Sequence, residues 1–246
     1  MMELDAQRTR AVIRKELRDY RRKRSIVVTM AILPCIFLLQ PILAVFLAPA
    51  TSSDNYFRLP LLPLLLIPVI MPSTLAAYSV VGEREQGTLE PLLTTPIRRQ
   101  ELIAGKAAAV IIPSVALSYG VFAIFLGVVR LFAKPAISSA VFHQGPVLLA
   151  LVLFTPLLAG WAIVVGLGSS VRASELRVAQ QLGALASCPP LGVVVLFGSG
   201  ALHPTFKLAI LLAFGLFVLD IRALRIVSRM FDSERLVTGS RAVERQ

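Results

Sequence analysis

Charge is scarce in this chain, and negative charge is the scarcer kind. Charged residues make up 16% of the 246 positions, with 14 acidic against 25 basic side chains. A soluble domain usually has about 25% charged residues, whereas 56% of this chain is hydrophobic. The composition therefore excludes an ordinary soluble domain and indicates a membrane protein.

Residues that carry chemistry are also few. There are two cysteines, Cys35 and Cys188, and both lie in apolar runs, so we expect small core residues and not a disulfide or a metal pair. His143 has no second ligand near it in the sequence. No HExxH zinc motif and no G-x-x-x-x-G-K-[ST] phosphate loop occurs. We therefore predict no catalytic residue and no metal site in this chain.

Long apolar runs, typical of membrane-spanning helices, dominate the sequence. They predict an all-α membrane protein with six transmembrane helices that form one domain. The six spans are predicted at about 25–48, 59–81, 107–132, 147–171, 182–197 and 207–221. Residues 1–24 precede them as a basic cytoplasmic or interfacial helix, residues 82–106 form a polar loop, and residues 222–246 form a basic cytoplasmic tail.

The N-terminal segment carries nine Lys and Arg residues. Ile13, Leu17 and Tyr20 are spaced i, i+4, i+7, so a helix here has a narrow apolar stripe and a basic face. That pattern favours an interfacial helix on an anionic leaflet. The alternative is a frayed basic tail that only fixes topology.

The distribution of basic residues predicts the orientation. The segments that would lie inside hold nine, four, two and six Lys and Arg residues, whereas the segments that would lie outside hold four in all. Both termini are therefore predicted to be cytoplasmic. The same distribution argues against nucleic acid as a partner and favours anionic membrane lipid.

Prolines occur in several of the predicted spans. The second span contains four of them, which free several backbone carbonyls, and we interpret it as a pore-lining or mobile span; the alternative is tight packing with local kinks. These prolines are Pro60, Pro63, Pro68 and Pro72. Pro34 and Pro41 are expected to kink the first span, and Pro189-Pro190 lies in the middle of the fifth.

The predicted spans lack the groups that drive ion-coupled transport or catalysis. No acidic residue lies within the first five, and Asp220 sits at the inner end of the sixth. Proton- or sodium-driven carriers normally need an intramembrane carboxylate, and no His or acid lies at membrane depth to activate a span hydroxyl. If the chain moves a solute, the energy must enter through a cytoplasmic docking surface.

The polar loop 82–106, GEREQGTLEPLLTTPIRRQELIAGK, contains a short amphipathic helix candidate. Thr88 can cap it, and Thr94-Thr95-Pro96 ends it. Leu89, Leu92 and Leu93 share one face at i, i+3, i+4. Such a segment is suited to present a surface to a partner; the alternative is a solvated helix lying on the membrane. Residues 172–181 form a second, shorter polar loop.

This loop closely resembles the signature loop of the type-2 ATP-binding-cassette (ABC) exporter permeases. The family pattern is E-x-E, then GT-[LF]-E-x-LL-x-[TS]-P, a basic pair, E-L and G-K. The matching positions are Glu83, Glu85, Gly87, Thr88, Leu89, Glu90, Leu92, Leu93, Thr95, Pro96, Glu101, Leu102, Gly105 and Lys106. The basic N-terminal helix, six spans and internal termini are similar to that family as well.

The resemblance implies that the loop helix is a coupling helix that docks on a separate ABC ATPase subunit, which binds ATP and Mg; no cofactor is expected in this chain. The implied docking residues are Glu83, Glu85, Thr88, Leu89, Glu90, Leu92, Leu93 and Arg98, with Glu175 and Arg177 as a secondary contact. The interfacial helix around Ile13, Leu17 and Tyr20 would lie near the ATPase. A second permease, identical or related, is also implied.

The resemblance further implies a translocation path at the permease interface, lined by the first, second and fifth spans. The residues expected along this path or its gate are Pro34, Pro68, Pro72, Pro189 and Pro190. A nearly uncharged path suits a lipophilic or amphiphilic cargo such as a drug, antibiotic or lipid, exported across a bacterial inner membrane. Two alternatives are a non-transporting scaffold or sensor that docks an ATPase, and a membrane enzyme acting on lipids.

Overall fold

The structure is a computed structural model that describes residues 6–48, 56, 59–85, 99–172, 176–199 and 205–230. Throughout these ranges the chain is helical, and no strand occurs in them, which confirms the predicted all-α class. The helices, in chain order, are α1 (Ala6–Arg22), α2 (Arg24–Phe46), a 3₁₀ helix (Leu59–Leu66), α3 (Ile67–Glu85), α4 (Arg99–Phe132), α5 (Pro135–Phe142), α6 (Gly145–Arg172), α7 (Leu176–Ala186), α8 (Cys188–Gly198) and α9 (Phe206–Met230).

Helix α6 is the centre of the described structure. It packs most extensively on α3 and α9, and it also contacts α4 and α7. Small residues permit the approach to α3: Ala162 is fully buried, and a Cβ added at Gly166 would lie 2.9 Å from the Cβ of Ala76. Since van der Waals contact falls off steeply with separation, such small residues let two helix backbones pack closely.

The apolar interior consists of two clusters. The larger joins α2, the 3₁₀ helix, α3, α4, α6 and α9, with Phe125 and Phe154 fully buried at its centre. The smaller lies where α1, α3, α4 and α6 meet, and it contains Tyr20, Leu75 and Val110. Helix α1 is therefore part of the folded interior and not an isolated appendage.

Much of the outer surface is apolar. One face of α2 exposes large side chains at helical spacing, and these are Val28, Ile32, Ile36, Leu39 and Leu43. Exposed apolar side chains also cover α9. Contiguous apolar surface of this kind is uncommon on soluble monomers and is typical of a chain that contacts lipid or another subunit.

Two described helical stretches are long and apolar enough to cross a membrane, Ala104–Phe132 and Gly145–Ser169. In the first, 33% of the apolar window is buried inside the chain, so most of it faces outward. Met30–Phe46 and Pro60–Ala76 are shorter apolar helical stretches. Length and composition thus identify two candidate spans among the described residues, and the total of six stays a prediction.

The second predicted span is interrupted near its start. It begins as the 3₁₀ helix, which contains Pro63, and continues as α3, where Pro72 is interior. Pro68 falls in the first turn of α3, where a missing backbone N–H costs no helix hydrogen bond. The prolines therefore shift the first part of this segment, residues 59–66, away from α-helical geometry and leave most of α3 regular.

The fifth predicted span is two helices. Helix α7 already begins at Leu176, within the predicted polar loop, and a turn at Ser187 separates it from α8. Pro189 and Pro190 fall in the first turn of α8 and not in the middle of a helix, which is the position where proline is best tolerated.

Other helix limits also differ from the predicted spans. Residues 135–142, expected in a connection, form α5, and Pro135 occupies its first turn. Helix α4 begins at Arg99 and α9 continues to Met230, so both extend well beyond the apolar runs that predicted them. Hydropathy marks where a helix is apolar, whereas the backbone hydrogen bonds continue into polar sequence. Cys35 and Cys188 form no disulfide bond and both are exposed, so the prediction that they are core residues is wrong.

Candidate functional site

The predicted docking loop connects α3 to α4. Glu83 and Glu85 lie in the last turn of α3, for which the structure describes the backbone. The other predicted docking residues of this loop lie outside the described residues: Thr88, Leu89, Glu90, Leu92, Leu93 and Arg98. Glu175 lies outside them too. The described part of the site is thus the pair of helices that border the loop, together with the elements that pack on them.

Helix α1 packs against the first turns of α4, directly after the docking loop. The contact is closest at Gly105, where an added Cβ would lie 2.8 Å from Cβ and Cγ1 of Val12 and 3.4 Å from the carbonyl oxygen of Thr9. Real Cβ atoms essentially never approach other heavy atoms as closely as 2.8 Å. A glycine is therefore needed here if α1 is to lie in this position.

The next residue forms a buried ion pair with α1. Lys106 Nζ donates a hydrogen bond to Glu16 Oε1 at 2.9 Å, and the two side chains are 5% and 4% exposed. Lys15 Nζ lies farther from the same oxygen, at 3.8 Å, and its side chain is 43% exposed. A buried charge that loses its partner is strongly unfavourable, so Lys106 and Glu16 hold α1 and α4 together.

The face that α1 buries follows from its sequence. Val12, Glu16 and Tyr20 are spaced i, i+4, i+8 and are all buried, while the arginines of the opposite face are exposed. The predicted stripe residues Ile13 and Leu17 are partly buried beside this line. Sequence reasoning missed Glu16, although an acid in line with the apolar side of an otherwise basic helix is a detectable signal.

A polar cavity of about 490 Å³ lies between α3 and α7. Its lining consists of Ile70, Ser73, Thr74, Arg177, Gln180 and Gln181. Ser73 is 3% exposed, and its Oγ has no hydrogen-bond partner in the described structure. Thr74 Oγ1 donates to the carbonyl oxygen of Ile70 at 2.9 Å. Arg177, predicted as a secondary docking residue, is thus a lining residue of this cavity.

The predicted path prolines do not line that cavity. Pro34, Pro68 and Pro72 are buried within the chain, and Pro189 is exposed. The side chain of Pro190 lies outside the described residues. Among the described side chains, the structure thus brings polar residues to the space between the second and fifth predicted spans, whereas Pro34, Pro68, Pro72 and Pro189 do not line it.

Most hydroxyls of the long helices bond to their own backbone. Ser118, Thr155 and Ser187 each donate to the carbonyl oxygen four residues earlier, at 2.6 to 2.9 Å. This back-bonding is the usual arrangement for hydroxyls within apolar helices. Among the described residues no group of three or more His, Cys, Asp or Glu side chains could hold a metal ion. The buried hydroxyls of Ser73, Ser114 and Ser138 differ, because none of them has a hydrogen-bond partner in the described structure.

A second cavity, of about 260 Å³, lies between α4, α6 and α9. It is apolar except for Asp220, whose Oδ1 is buried and has no hydrogen-bond partner in the described structure. A Cβ added at Gly160 would lie 3.2 Å from Asp220 Oδ2. The glycine therefore makes room on α6 for a carboxyl group carried by α9.

Comparison with known proteins agrees with this architecture. A family model described as "ABC-2 family transporter protein" matches residues 10–228. The match begins in α1, covers every later helix named above and ends in α9, so it includes both residues of the buried ion pair. No curated protein matches the chain. Because the family model covers well over half of the sequence, the chain belongs to the ABC-2 family of transporter proteins.

Proposed function

We propose that this chain is the transmembrane permease subunit of an ATP-driven ABC exporter. Membership of the family implies a membrane component that works with an ABC ATPase subunit. Export, a second permease and a membrane-spanning pair of six-helix subunits are part of the proposal. ATP and Mg are bound by the ATPase subunit, and this chain contributes docking and translocation but no hydrolysis.

The observation that carries the proposal is the buried contact between α1 and the start of α4. A docking loop can move the membrane helices only if it is attached to something rigid on the membrane side. Gly105 and Lys106 are the last matched positions of the signature loop, and in the structure they are the residues that pack on Val12 and bond to Glu16. A force applied to the loop therefore reaches α4 and α1 together.

The proposed topology has six spans with both termini in the cytoplasm of a bacterial cell. The spans are α2, the 3₁₀ helix with α3, α4, α6, α7 with α8, and α9. The predicted inner segments carry far more Lys and Arg than the outer ones, which supports this orientation. It puts the docking loop and the start of α7 on the cytoplasmic side.

The test is purification of the tagged chain from its native membrane, followed by an ATPase assay of whatever is retained with it. We expect a stoichiometric ABC ATPase, lost when Leu89, Leu92 and Leu93 are replaced together by Ser. A chain that purifies alone and without ATPase activity would contradict the proposal.

Reconstitution separates the exporter from its alternative. In vesicles that contain the chain and its ATPase, an exporter moves amphiphilic probes when ATP is supplied to the ATPase side. ATP hydrolysis without movement of any probe in a panel of dyes, lipids and antibiotics would favour a non-transporting scaffold or sensor that docks an ATPase.

A further inference from the structure

The cavity between α3 and α7 has the composition of a binding site. Its volume of about 490 Å³ falls in the range of small-molecule pockets, and five of its six lining residues are polar. We propose that it binds the anionic head group, a phosphate or a carboxylate, of an amphiphile that the permease transports. This inference rests on the proposed function and adds the substrate class to it.

The polar lining has a simple structural origin. Arg177, Gln180 and Gln181 are spaced i, i+3, i+4, so they share one face of α7, and that face lines the cavity together with residues of α3. The neighbouring exposed residues of α7 are apolar, among them Val178, Leu182 and Leu185.

The charge of the lining residues favours a ligand of the opposite charge. Among the lining residues that the structure describes, Arg177 is the one with a charge, and none is a carboxylate. A guanidinium group presents several N–H donors in a planar array that matches phosphate and carboxylate oxygens. The two glutamine amides and the hydroxyls add neutral donors. This set favours an anion and gives no compensation for a cationic head group.

Ser73 provides an independent indication of a ligand. Its hydroxyl is buried at 3% exposure, lines the cavity and has no partner in the described structure. Other hydroxyls of these helices, such as Thr74, donate to a carbonyl oxygen of their own helix. A buried hydroxyl without a partner is unfavourable, and an anionic oxygen in the cavity would supply that partner.

The location favours an amphiphile over a free anion. Arg177 lies in the first turn of α7, at the cytoplasmic side in the proposed topology, and the exposed side chains of Val178, Leu182 and Leu185 on the same helix are apolar. A head group at Arg177 thus lies beside apolar surface that suits an acyl chain. The nearly uncharged path predicted a lipophilic or amphiphilic cargo. The cavity restricts this prediction to an amphiphile with an anionic head group.

The experiment is equilibrium binding to the full chain in zwitterionic phosphatidylcholine nanodiscs, without ATP. The probes are dodecyl phosphate, dodecyltrimethylammonium and inorganic phosphate. We expect dodecyl phosphate to bind at least about tenfold more tightly than the cationic probe, and Arg177→Gln to weaken it about tenfold or more, the effect of one charged hydrogen bond. Arg177→Lys should retain most of the affinity because it keeps the charge.

Matched variants make the result specific. Arg130→Gln makes the same substitution at an exposed arginine near the C-terminal end of α4. Because Arg130 does not line the cavity, this variant should leave binding unchanged. Ser73→Ala should weaken dodecyl phosphate binding several-fold. If Arg177→Gln fails to fold, Gln181→Leu alters a second exposed lining residue and should also weaken binding.

Equal binding of dodecyl phosphate to the wild type and to the Arg177 and Gln181 variants would overturn the proposal. If inorganic phosphate competes with the same affinity as dodecyl phosphate, the alkyl chain contributes nothing to binding. The ligand would then be a free anion and not an amphiphile. Because the measurement needs no ATPase, a chain that co-purifies with an ATPase but does not bind the probe refutes this inference alone. A chain that binds the probe but retains no ATPase when it is purified from its native membrane contradicts the proposed function instead.

Discussion

Glu16 and Lys106 lie 90 positions apart in the sequence and 2.9 Å apart in the structure. Each charge is almost entirely removed from solvent, and either one alone would be a buried, uncompensated ion. The attraction between buried charges mainly offsets the cost of removing them from water, so such a pair adds little net stability but makes separation costly. The pair therefore specifies where α1 packs.

Removing one partner tests this role. Lys106→Met should lower the free energy of unfolding by about 3–5 kcal/mol, because it leaves Glu16 buried without a counter-charge. The measurement is thermal or denaturant unfolding of the purified chain. Lys15→Met changes an exposed lysine 3.8 Å from the same carboxylate and should cost less than about 1 kcal/mol. The double variant Glu16→Met/Lys106→Met should recover most of the loss; a double variant as unstable as Lys106→Met would contradict the assignment.

Gly105 offers a second test at the residue scale. Gly105→Val should destabilise the chain by about 1–3 kcal/mol, because the added atoms overlap Val12 and force α1 away. Gly120→Ala lies in the same helix, and a Cβ there would meet no atom within 4 Å, so it should be neutral or stabilising by up to about 1 kcal/mol. Combining Gly105→Val with Val12→Ala should restore part of the stability. Equal melting temperatures for Gly105→Val and Gly120→Ala would refute the close contact.

The sequence and the structure contribute different parts of this site. Gly105 and Lys106 were identified by their resemblance to the signature loop, without a structural role. Glu16 was missed although it lies in line with the apolar side of α1; its pairing with Lys106, 90 positions away, depends on how α1 and α4 pack and not on local pattern. Likewise, Arg177 was assigned to docking from its loop position, whereas only the packing of α7 on α3 shows that it lines a cavity.

At the scale of elements, the long apolar helices were predictable and the polar ends were not. Helices α4 and α6 contain apolar stretches long enough to cross a membrane, and hydropathy located both. Helix α7 was assigned in part to a loop because its polar residues lower the mean hydropathy of the segment, although they occupy only one face of the helix. Helix α5 had a usable signal in Pro135, which occupies its first turn. A hydropathy window averages over faces and therefore misses amphipathic ends.

The predicted coupling helix is testable as an element. Leu92→Asp puts a charge on the face formed with Leu89 and Leu93, which we expect to enter an apolar groove of the ATPase. The ATPase should no longer co-purify, while the amount of chain in the membrane stays unchanged. Glu90→Ala should reduce ATP-driven transport, and Glu234→Ala, the same change in the C-terminal tail, should not. Normal transport by Leu92→Asp and Glu90→Ala would remove the docking assignment.

At the scale of the whole molecule, the apolar outer surface and the distribution of bases determine how the chain lies in a membrane. The exposed face of α2 requires an apolar environment. The basic residues are concentrated on the N-terminal helix, the docking loop and the C-terminal segment. Together they predict that these segments share one side of the membrane.

Cysteine labelling tests that arrangement. Cys35 and Cys188 are both exposed, so they are first replaced by Ser and Ala. His143→Cys, at an exposed position between α5 and α6, should react with a membrane-impermeant maleimide in intact cells. Arg21→Cys, at an exposed position of α1, should react only after permeabilisation. The reverse pattern would show that the chain has the opposite orientation. Labelling of both cysteines in intact cells would contradict a topology that puts them on opposite sides of the membrane.

The buried pair between α1 and α4 also limits how the molecule can move. Helix α1 cannot slide along α4 without exposing or separating two buried charges, so we expect the two helices to move as one body. A pair of spin labels, one on the exposed face of α1 and one on exposed Ile112 of α4, should report one unchanged distance in every nucleotide state of the complex. In the proposed exporter, we expect the conformational change to take place between this body and the helices packed against it.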